Sequence, residues 1–596
     1  MKRILLILAI STPLLLTACK QSDETTSPPT NTTTVTKTKS ELFEFVPADT
    51  PYLFANLESI PSDVTDAYLK NALPLYTSLR DNIAGFVKDS EQLTDDTPTS
   101  DIDTGVDKDV NNDSDNNFLD DTSFAHLAFV HSILNDLINN PGIEGIEKIG
   151  FSADAKSVIY GLGLFPVVRM EIGDEARLRA TLEKAFTEAG GIPEEKTLNG
   201  RKYWQAGNDQ FQLITSIDAN EFALSFIPTS LATEALPNIL AQSKPENQLD
   251  LIKSLTTLNQ NNDYTNYGSG WLDTLKLFDL FLNSDSSAAS TMRQMLEFDA
   301  QSITQICRDE YNSMAATYPR MHSGYHSLSP TETKSSFTIE LQQELANDLQ
   351  SLVIADALST TGSGGLLNIG FALNFAKARE WLLETAKKRV ENPYKCEQLA
   401  GLNQTYAQAY EGLNRPMPPF VGNLIGFKLF IDELDLGQIA MSNPVPQKIK
   451  AMLALLTSNP EMLVGMGQMF LPELAELDLS PGADPVELTL EGIPKPDEPV
   501  WAAISKSAIG VAAGEGMHTK LLDFLADGGS KGGEFISVGI DGEFQSKMEA
   551  ASTAFMQDDH SSQTTPAIPP LFERLYISAS FTSKGIVINQ TTQLKK

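Results

Sequence analysis

Apolar positions along this chain recur at two spacings, and the switches between them mark out its elements. Tyr52-Leu53-Phe54-Ala55-Asn56 is a short apolar run with strand character. From about Ser62 to Phe86 the pattern turns helical. From Ser123 to Asn139, residues Phe124, Leu127, Val130, Leu134 and Leu137 repeat near every 3.6 positions, which predicts an amphipathic helix. Residues 87–121, between these helices, are rich in Asp, Asn, Thr and Ser. They predict an acidic disordered insertion, because too little apolar surface is available to offset the entropy of ordering.

Residues 147–241 form the most legible stretch. Val158–Leu164 and Val167–Ile172 predict two strands. Asp174 has the chemistry of a helix N-cap, and Leu178, Leu182, Ala185, Phe186 and Ala189 line one face of the helix after it. Gly190-Gly191 stops that helix. Asn199-Gly200 predicts a tight hairpin turn before the strand Arg201–Ala206. Phe211–Thr215 and Glu221–Ile227 predict further strands, and Ser230–Ala241 a helix.

Parts of this order return. Leu367–Asn374 predicts a strand running into a helix over Ala376–Arg389, with Trp381, Leu382 and Ala386 inward. Ala508–Ala513 runs likewise into Met517–Ala526, with Glu534–Ile540 as the next strand. Leu575–Phe581 and Ile586–Thr592, joined through Lys584-Gly585, predict a closing hairpin. A Gly-containing apolar strand feeding a helix in three places predicts an α+β fold. It would have several modules of mainly antiparallel sheet with packed helices, as divergent repeats. Chance likeness between common strand–helix units is the competing explanation. Residues 446–475 read as helical: Pro446 suits a helix start, Asn459-Pro460 breaks it, and Met462, Met466 and Met469 then share a face. Such a face fills an irregular core or grips apolar ligands.

The amino-terminal residues add a location. Lys2 and Arg3 precede the apolar run Ile4–Leu16, which is shorter than the roughly 20 residues a membrane span needs. Leu16-Thr17-Ala18-Cys19 closes it. This segment resembles a bacterial lipoprotein signal peptide with its lipobox. The resemblance implies cleavage before Cys19 and a lipid on its sulfur, and Lys20 then favours the outer membrane, with the body facing the periplasm. Residues 20–40, rich in Thr, Ser and Pro, predict a flexible tether. Beyond Cys19 no run of about 18 apolar residues predicts a transmembrane helix. Val46-Pro47-Ala48-Asp49-Thr50-Pro51-Tyr52 makes the body resemble bacterial envelope proteins with no assigned activity.

Length and composition then bound the rest. The 596 residues, 41% of them hydrophobic, suit two to four globular domains. The expected organisation is a signal peptide over 1–18 and a lipidated cysteine and tether over 19–40. Strand, helices and insertion fill 41–145, and α+β modules 146–245 and 246–445. A helical segment and a last module cover 446–596. The net charge of −34 argues against nucleic acid, whose phosphates require concentrated Lys and Arg. It argues equally against lying flat on anionic headgroups. Cys307 and Cys396 are the two body cysteines, and an oxidising compartment favours a disulfide over two buried thiols.

Catalytic chemistry is hard to find. Gly528-Gly529-Ser530-Lys531-Gly532 matches G-x-S-x-G, but a helix precedes it and a strand follows, the reverse of a nucleophile elbow. Among His126, His131, His322, His326, His518 and His560 no H-E-x-x-H occurs; His322 and His326 are four apart, in a segment whose Gly and Pro predict a loop. Asp109, Asn111, Asp113, Asp115, Asn117 and Asp120 fall at calcium-loop spacing, but Ser114 replaces the turn glycine and Asp120 the bidentate Glu, so a solvated linker is favoured. No cofactor is expected. The leading expectation is a non-enzymatic binding or scaffolding lipoprotein whose partners are the membrane, through its anchor, and other envelope proteins. A carrier of an apolar ligand and a hydrolase built on distant carboxylates are the alternatives.

Overall fold

The computed structural model describes residues 41–95, 121–218, 220–355, 357–358, 364–418, 420–436, 448–470, 474, 477–488, 498–526, 533–548 and 572–595. They divide into two compact units. One holds the described residues up to Gln260 with Asn266–Gly268, and the other holds Asn261–Thr265 and the residues from Ser269 onward.

In the first unit a 3-10 turn, Glu41–Phe45, leads to β1 (Tyr52–Ala55). The helices α1 (Ser62–Asp95), α2 (Asp121–Asn139) and α3 (Ile143–Ile149) follow. Next come β2 (Ser157–Leu162), β3 (Phe165–Glu171), α4 (Glu175–Glu188), β4 (Glu195–Leu198), β5 (Arg201–Gly207), β6 (Phe211–Asp218) and β7 (Glu221–Pro228). Helices α5 (Thr229–Ile239) and α6 (Leu251–Asn262) close the series. The strands pair in the order β1-β2-β3-β7-β6-β5-β4, all antiparallel. Local chemistry behaves as the sequence predicts. The Asp174 carboxylate accepts from the Arg177 N–H at the start of α4. The β4–β5 turn places Asn199 and Gly200 at positive φ, which Asn tolerates and Gly adopts freely.

One face of this sheet is sealed. Leu69, Tyr76, Leu134, Leu137, Ile146, Leu178, Leu182 and Phe186 from α1–α4 pack on Trp204, Ile217 and Phe222. The expected boundary at 145/146 therefore does not exist, because helices before it and strands after it share one core. On the other face, fully buried Arg169 donates from Nη2 to the carbonyls of Asn238 (2.9 Å) and Ile239 (3.1 Å), at the C-terminal end of α5. It also pairs with Glu221 and lies over the Phe45 ring. A cation at a helix C-terminus meets the negative end of the helix dipole.

The second unit holds β8 (Ser269–Asp273), α7 (Thr274–Leu282), α8 (Ser287–Met295), α9 (Gln305–Thr317), β9 (Arg320–Leu328), β10 (Glu332–Glu340) and α10 (Gln343–Gln350). It continues through β11 (Leu367–Ala372), α11 (Phe375–Glu391), α12 (Ala400–Leu413), β12 (Leu424–Asp435), β13 (Lys448–Thr457) and α13 (Pro460–Phe470). The last elements are β14 (Val486–Glu487), β15 (Val500–Ile504), β16 (Ala508–Ala513), α14 (His518–Leu525), β17 (Glu534–Asp541), β18 (Arg574–Thr582) and β19 (Gly585–Gln593). The pairing order is β8-β9-β10-β19-β18-β17-β11-β12-β13-β16-β15-β14, again antiparallel throughout.

That order contains the first unit's topology twice. Leaving aside the edge strand β4, a strand, a group of helices, two strands, a helix and three strands pair as β1-β2-β3-β7-β6-β5 in the first unit. The same sequence of elements pairs as β8-β9-β10-β19-β18-β17 and as β11-β12-β13-β16-β15-β14 in the second. The fold is thus α+β with a recurring antiparallel module. The third copy is inserted into the second between α10 and β17, and its first strand pairs with β17. The strand–helix likenesses visible in the sequence joined unequal positions. α4 follows the third strand of its module, α11 the first and α14 the last. The expected helix over 446–475 is corrected as well. Lys448–Thr457 is a strand held between β12 and β16, and only Pro460–Phe470 is helical. A short apolar run suits a buried helix and a strand equally, and the two flanking strands decide it. The boundary expected at 445/446 consequently falls inside the β12–β13 pairing.

Candidate functional site

Strands β10 to β16 of the second unit alternate in an unusual sense. One face carries Ser336, Ser578, Ser537, Gly370, Lys428, Ala454 and Gly510, matched strand by strand. These small or polar side chains are the buried ones: Ser537 and Ala454 have no exposure, and Ser578 and Lys428 almost none. Part of this face packs under α14, whose Leu521, Phe524 and Leu525 meet Met452, Ala454, Ala503 and Ala512. Gly510 admits α14 closely, since an added Cβ would lie 2.5 Å from a Leu525 methyl. Lys428 Nζ donates to the Phe524 carbonyl at 2.6 Å, near the end of α14, and so repeats the role of Arg169 under α5.

The other face carries the large apolar side chains. Phe337, Ile588, Ala579, Ile536, Phe371, Phe427, Leu455 and Ile509 stand opposite one another across the sheet. The next row is Ile577, Val538, Ile369, Leu429, Leu453 and Val511. Phe337 is 39% exposed, Phe427 38%, Leu455 41% and Leu453 46%. With roughly 200 Å² per large side chain, these four alone leave about 300 Å² in water. That already reaches the size of the largest apolar patch on an ordinary monomer. Leaving it open forgoes about 7 kcal/mol of burial.

The helices explain why this face is open. In the first unit those that follow β1 seal the sheet. Their counterparts in the second unit pack on each other instead: Leu282 of α7, Ile303, Cys307 of α9, Cys396 and Leu399 form a core joined by Phe278, Phe281, Phe298, Tyr311, Met314 and Tyr394, with no strand residue in it. Cys307 and Cys396 are disulfide-bonded as expected, tying α9 to the segment after α11. Glu310 accepts from the N–H groups of Lys395 and Cys396, and Asn403 brackets the Tyr394 backbone.

His322 and His326 lie on β9, not in a loop. Pairing of β9 with both β8 and β10 overrides the local Gly and Pro signals. The two rings meet Tyr264: its hydroxyl is 3.0 Å from His322 Nδ1, and its ring lies on Gly324, where a Cβ would come within 2.5 Å. His326 spans the Asp263 carbonyl (3.1 Å) and the Ser336 hydroxyl (2.9 Å). Burial pushes the His322 imidazole down to about 4, against the pull of the Glu340 carboxylate 3.6 Å away. Ser336 is buried and bonded to Tyr264 as well, so the His326–Ser336 pair reads as a tie between segments.

Two surface cavities are among those that the described residues line. One, of about 390 Å³, lies by Val353, Gly533 and Asn589; the other, of about 360 Å³, gathers Asp541, Glu543, Glu573 and Lys595. No group of three or more His, Cys, Asp or Glu side chains is placed to hold a metal among the described residues. No described helix is long and apolar enough to cross a membrane. Met469 is 80% exposed, and Met462 accepts a contact from Asn423 Nδ2, so the methionines of α13 do not form a core stripe. Cys19, the calcium-spaced residues Asp109, Asn111, Asp113, Asp115, Asn117 and Asp120, and the Gly528–Gly532 loop lie outside the described residues.

Sequence reasoning missed the open face, since no expected element covers Leu424–Asp435. Its signal was Lys428 in the middle of an apolar strand, between Phe427 and Leu429. No family model, curated protein or solved structure matches the chain.

Proposed function

We propose that this chain is a lipid-anchored binding protein of the bacterial envelope, held through Cys19 at the outer membrane with its body in the periplasm. Its binding surface is the open apolar face of the second unit. The observation that carries the reading is the inverted alternation of β10–β16, with Ser537, Ser578 and Lys428 buried while Phe337, Phe427, Leu453 and Leu455 stay partly exposed. A fold gains nothing from that arrangement alone, and an apolar partner recovers the free energy left unused. The lipobox resemblance of residues 1–19 supports the location. The reading assigns no reaction to the protein.

The test is binding of an environment-sensitive apolar fluorophore to the full chain. Phe427→Asp combined with Leu453→Asp is expected to cut the bound fraction severalfold. Lys520→Asp, on the exposed side of α14, leaves it unchanged. Equal binding by all three proteins rejects this face as the binding surface.

A further inference from the structure

Resting on that reading, we propose that the occupant of the face is a bilayer phospholipid with an anionic headgroup, its acyl chain laid along the central strands. Over Phe371, Phe427, Leu429, Leu453 and Leu455 the face offers no hydrogen-bonding side chain, the polar Gln590 and Ser335 entering these rows only beyond Ile577, so an occupant of the central strands must need none. A peptide laid there would strand its backbone N–H and C=O groups, which is costly away from water. An acyl chain has no such groups. From Ile425 to Ile431 the strand runs about 20 Å, at about 3.4 Å per residue. A chain occupying one leaflet of a core roughly 30 Å thick needs about 15 Å.

Charge locates the headgroup. The chain has 78 acidic and 44 basic residues, yet α11 reverses the balance. It carries Lys377, Arg379, Lys387, Lys388 and Arg389 against Glu380, Glu384 and Glu391, five minus three, or +2. Its first residue, Phe375, has its ring 6.0 Å from that of Phe371, at one end of the open face. Lys377 and Arg379 follow within the next turn, and Arg379 Nη2 donates to the Arg415 carbonyl at 2.9 Å, so the backbone of a third basic residue lies beside it. A phosphate here meets cations while its chain meets apolar side chains. A second copy fits poorly. Both copies carry −34, and the four most exposed side chains supply about 300 Å² against the roughly 800 Å² per partner of a standard interface.

The test uses the full chain in a bacterial host grown on radiolabelled phosphate, with the photo-crosslinker p-benzoylphenylalanine placed at Phe427, at Leu453 or, as control, at Lys520. Labelled phosphate does not enter the diacylglyceryl group expected on Cys19, so the anchor stays silent. The expected result is a labelled phospholipid adduct from the first two positions and none from the third. Reversing Lys377, Arg379 and Arg415 to Glu lowers the adduct at Leu453 by about a hundredfold, each of the three surface cations contributing on the order of 1 kcal/mol. Protein adducts alone at Phe427 and Leu453 overturn the phospholipid and leave the binding face standing. No adduct at either position overturns both. An adduct indifferent to the charge reversal overturns the anionic headgroup.

Discussion

Lys428 and Arg169 are charged side chains with almost no solvent exposure, and carbonyls near the end of a helix hold each of them. Replacing either with Met keeps the volume and removes the charge. Lys428→Met leaves the Phe524 carbonyl short of a donor and is expected to cost about 1–3 kcal/mol. Arg169→Met also abandons Glu221 and is expected to cost more, about 3–5 kcal/mol. Urea midpoints of the two variants measure both values, and equal stability to the parent rejects the capping role. His322 predicts a pH dependence. Its folded pKa, about 4, lies below the ordinary 6.5, so the unfolded chain binds a proton that the folded chain refuses between those values. Its contribution is complete above pH 6.5 and is lost as pH falls toward 4. His322→Gln should flatten the loss of stability between pH 7 and pH 4.5, and an unaltered slope counts against the assignment.

At the scale of elements, the disulfide and the strand parity matter most. Cys307 and Cys396 are 89 residues apart, and closing so long a loop stabilises by about 4 kcal/mol in the chain-entropy account. Among the described residues the helical core around them contains no strand residue, so its loosening should be local. Reduction is expected to speed tryptic cleavage at Lys387, Lys388 and Arg389 of α11 while sites on α14 keep their protection; simultaneous cleavage of both speaks against a separate helical core. Strand parity explains what remained hidden in β12. Alternation tells which residues share a face, because successive side chains point oppositely. It does not tell which face is covered. Phe427 and Leu429 read as core by composition, yet α14 covers Lys428 and Phe430 while Phe427 and Leu429 stand on the open side. The repeat was legible as strands feeding helices, but those joined unequal positions, since only pairing partners reveal which strand of a module is which.

For the whole molecule, charge and the proposed anchor govern behaviour. With acidic side chains exceeding basic ones so widely, self-repulsion opposes the compact state. Raising sodium chloride from about 10 mM to about 500 mM shortens the Debye length to a few ångströms. The melting temperature is expected to rise, and a flat or falling curve contradicts this balance. On the proposed anchoring, Cys19→Ser should release the chain from the membrane fraction. Retention of that variant at the membrane, normally processed, rejects the anchor.

From the chain alone came the alternation of strands and helices in residues 147–241, the cap at Asp174 and the turn at Asn199-Gly200. The pairing of two lone body cysteines was legible as well. These follow from short-range rules, set by backbone sterics, hydrogen-bonding capacity and the oxidising compartment of the proposed envelope location. Tertiary structure alone decided that residues 448–457 form a strand and that His322 and His326 share β9. It also decided that one module lies within another and that the second unit turns its large apolar side chains outward. Each depends on partners that lie far along the sequence. Burial belongs to the helices that arrive on a face, and no periodicity within a strand states where they dock.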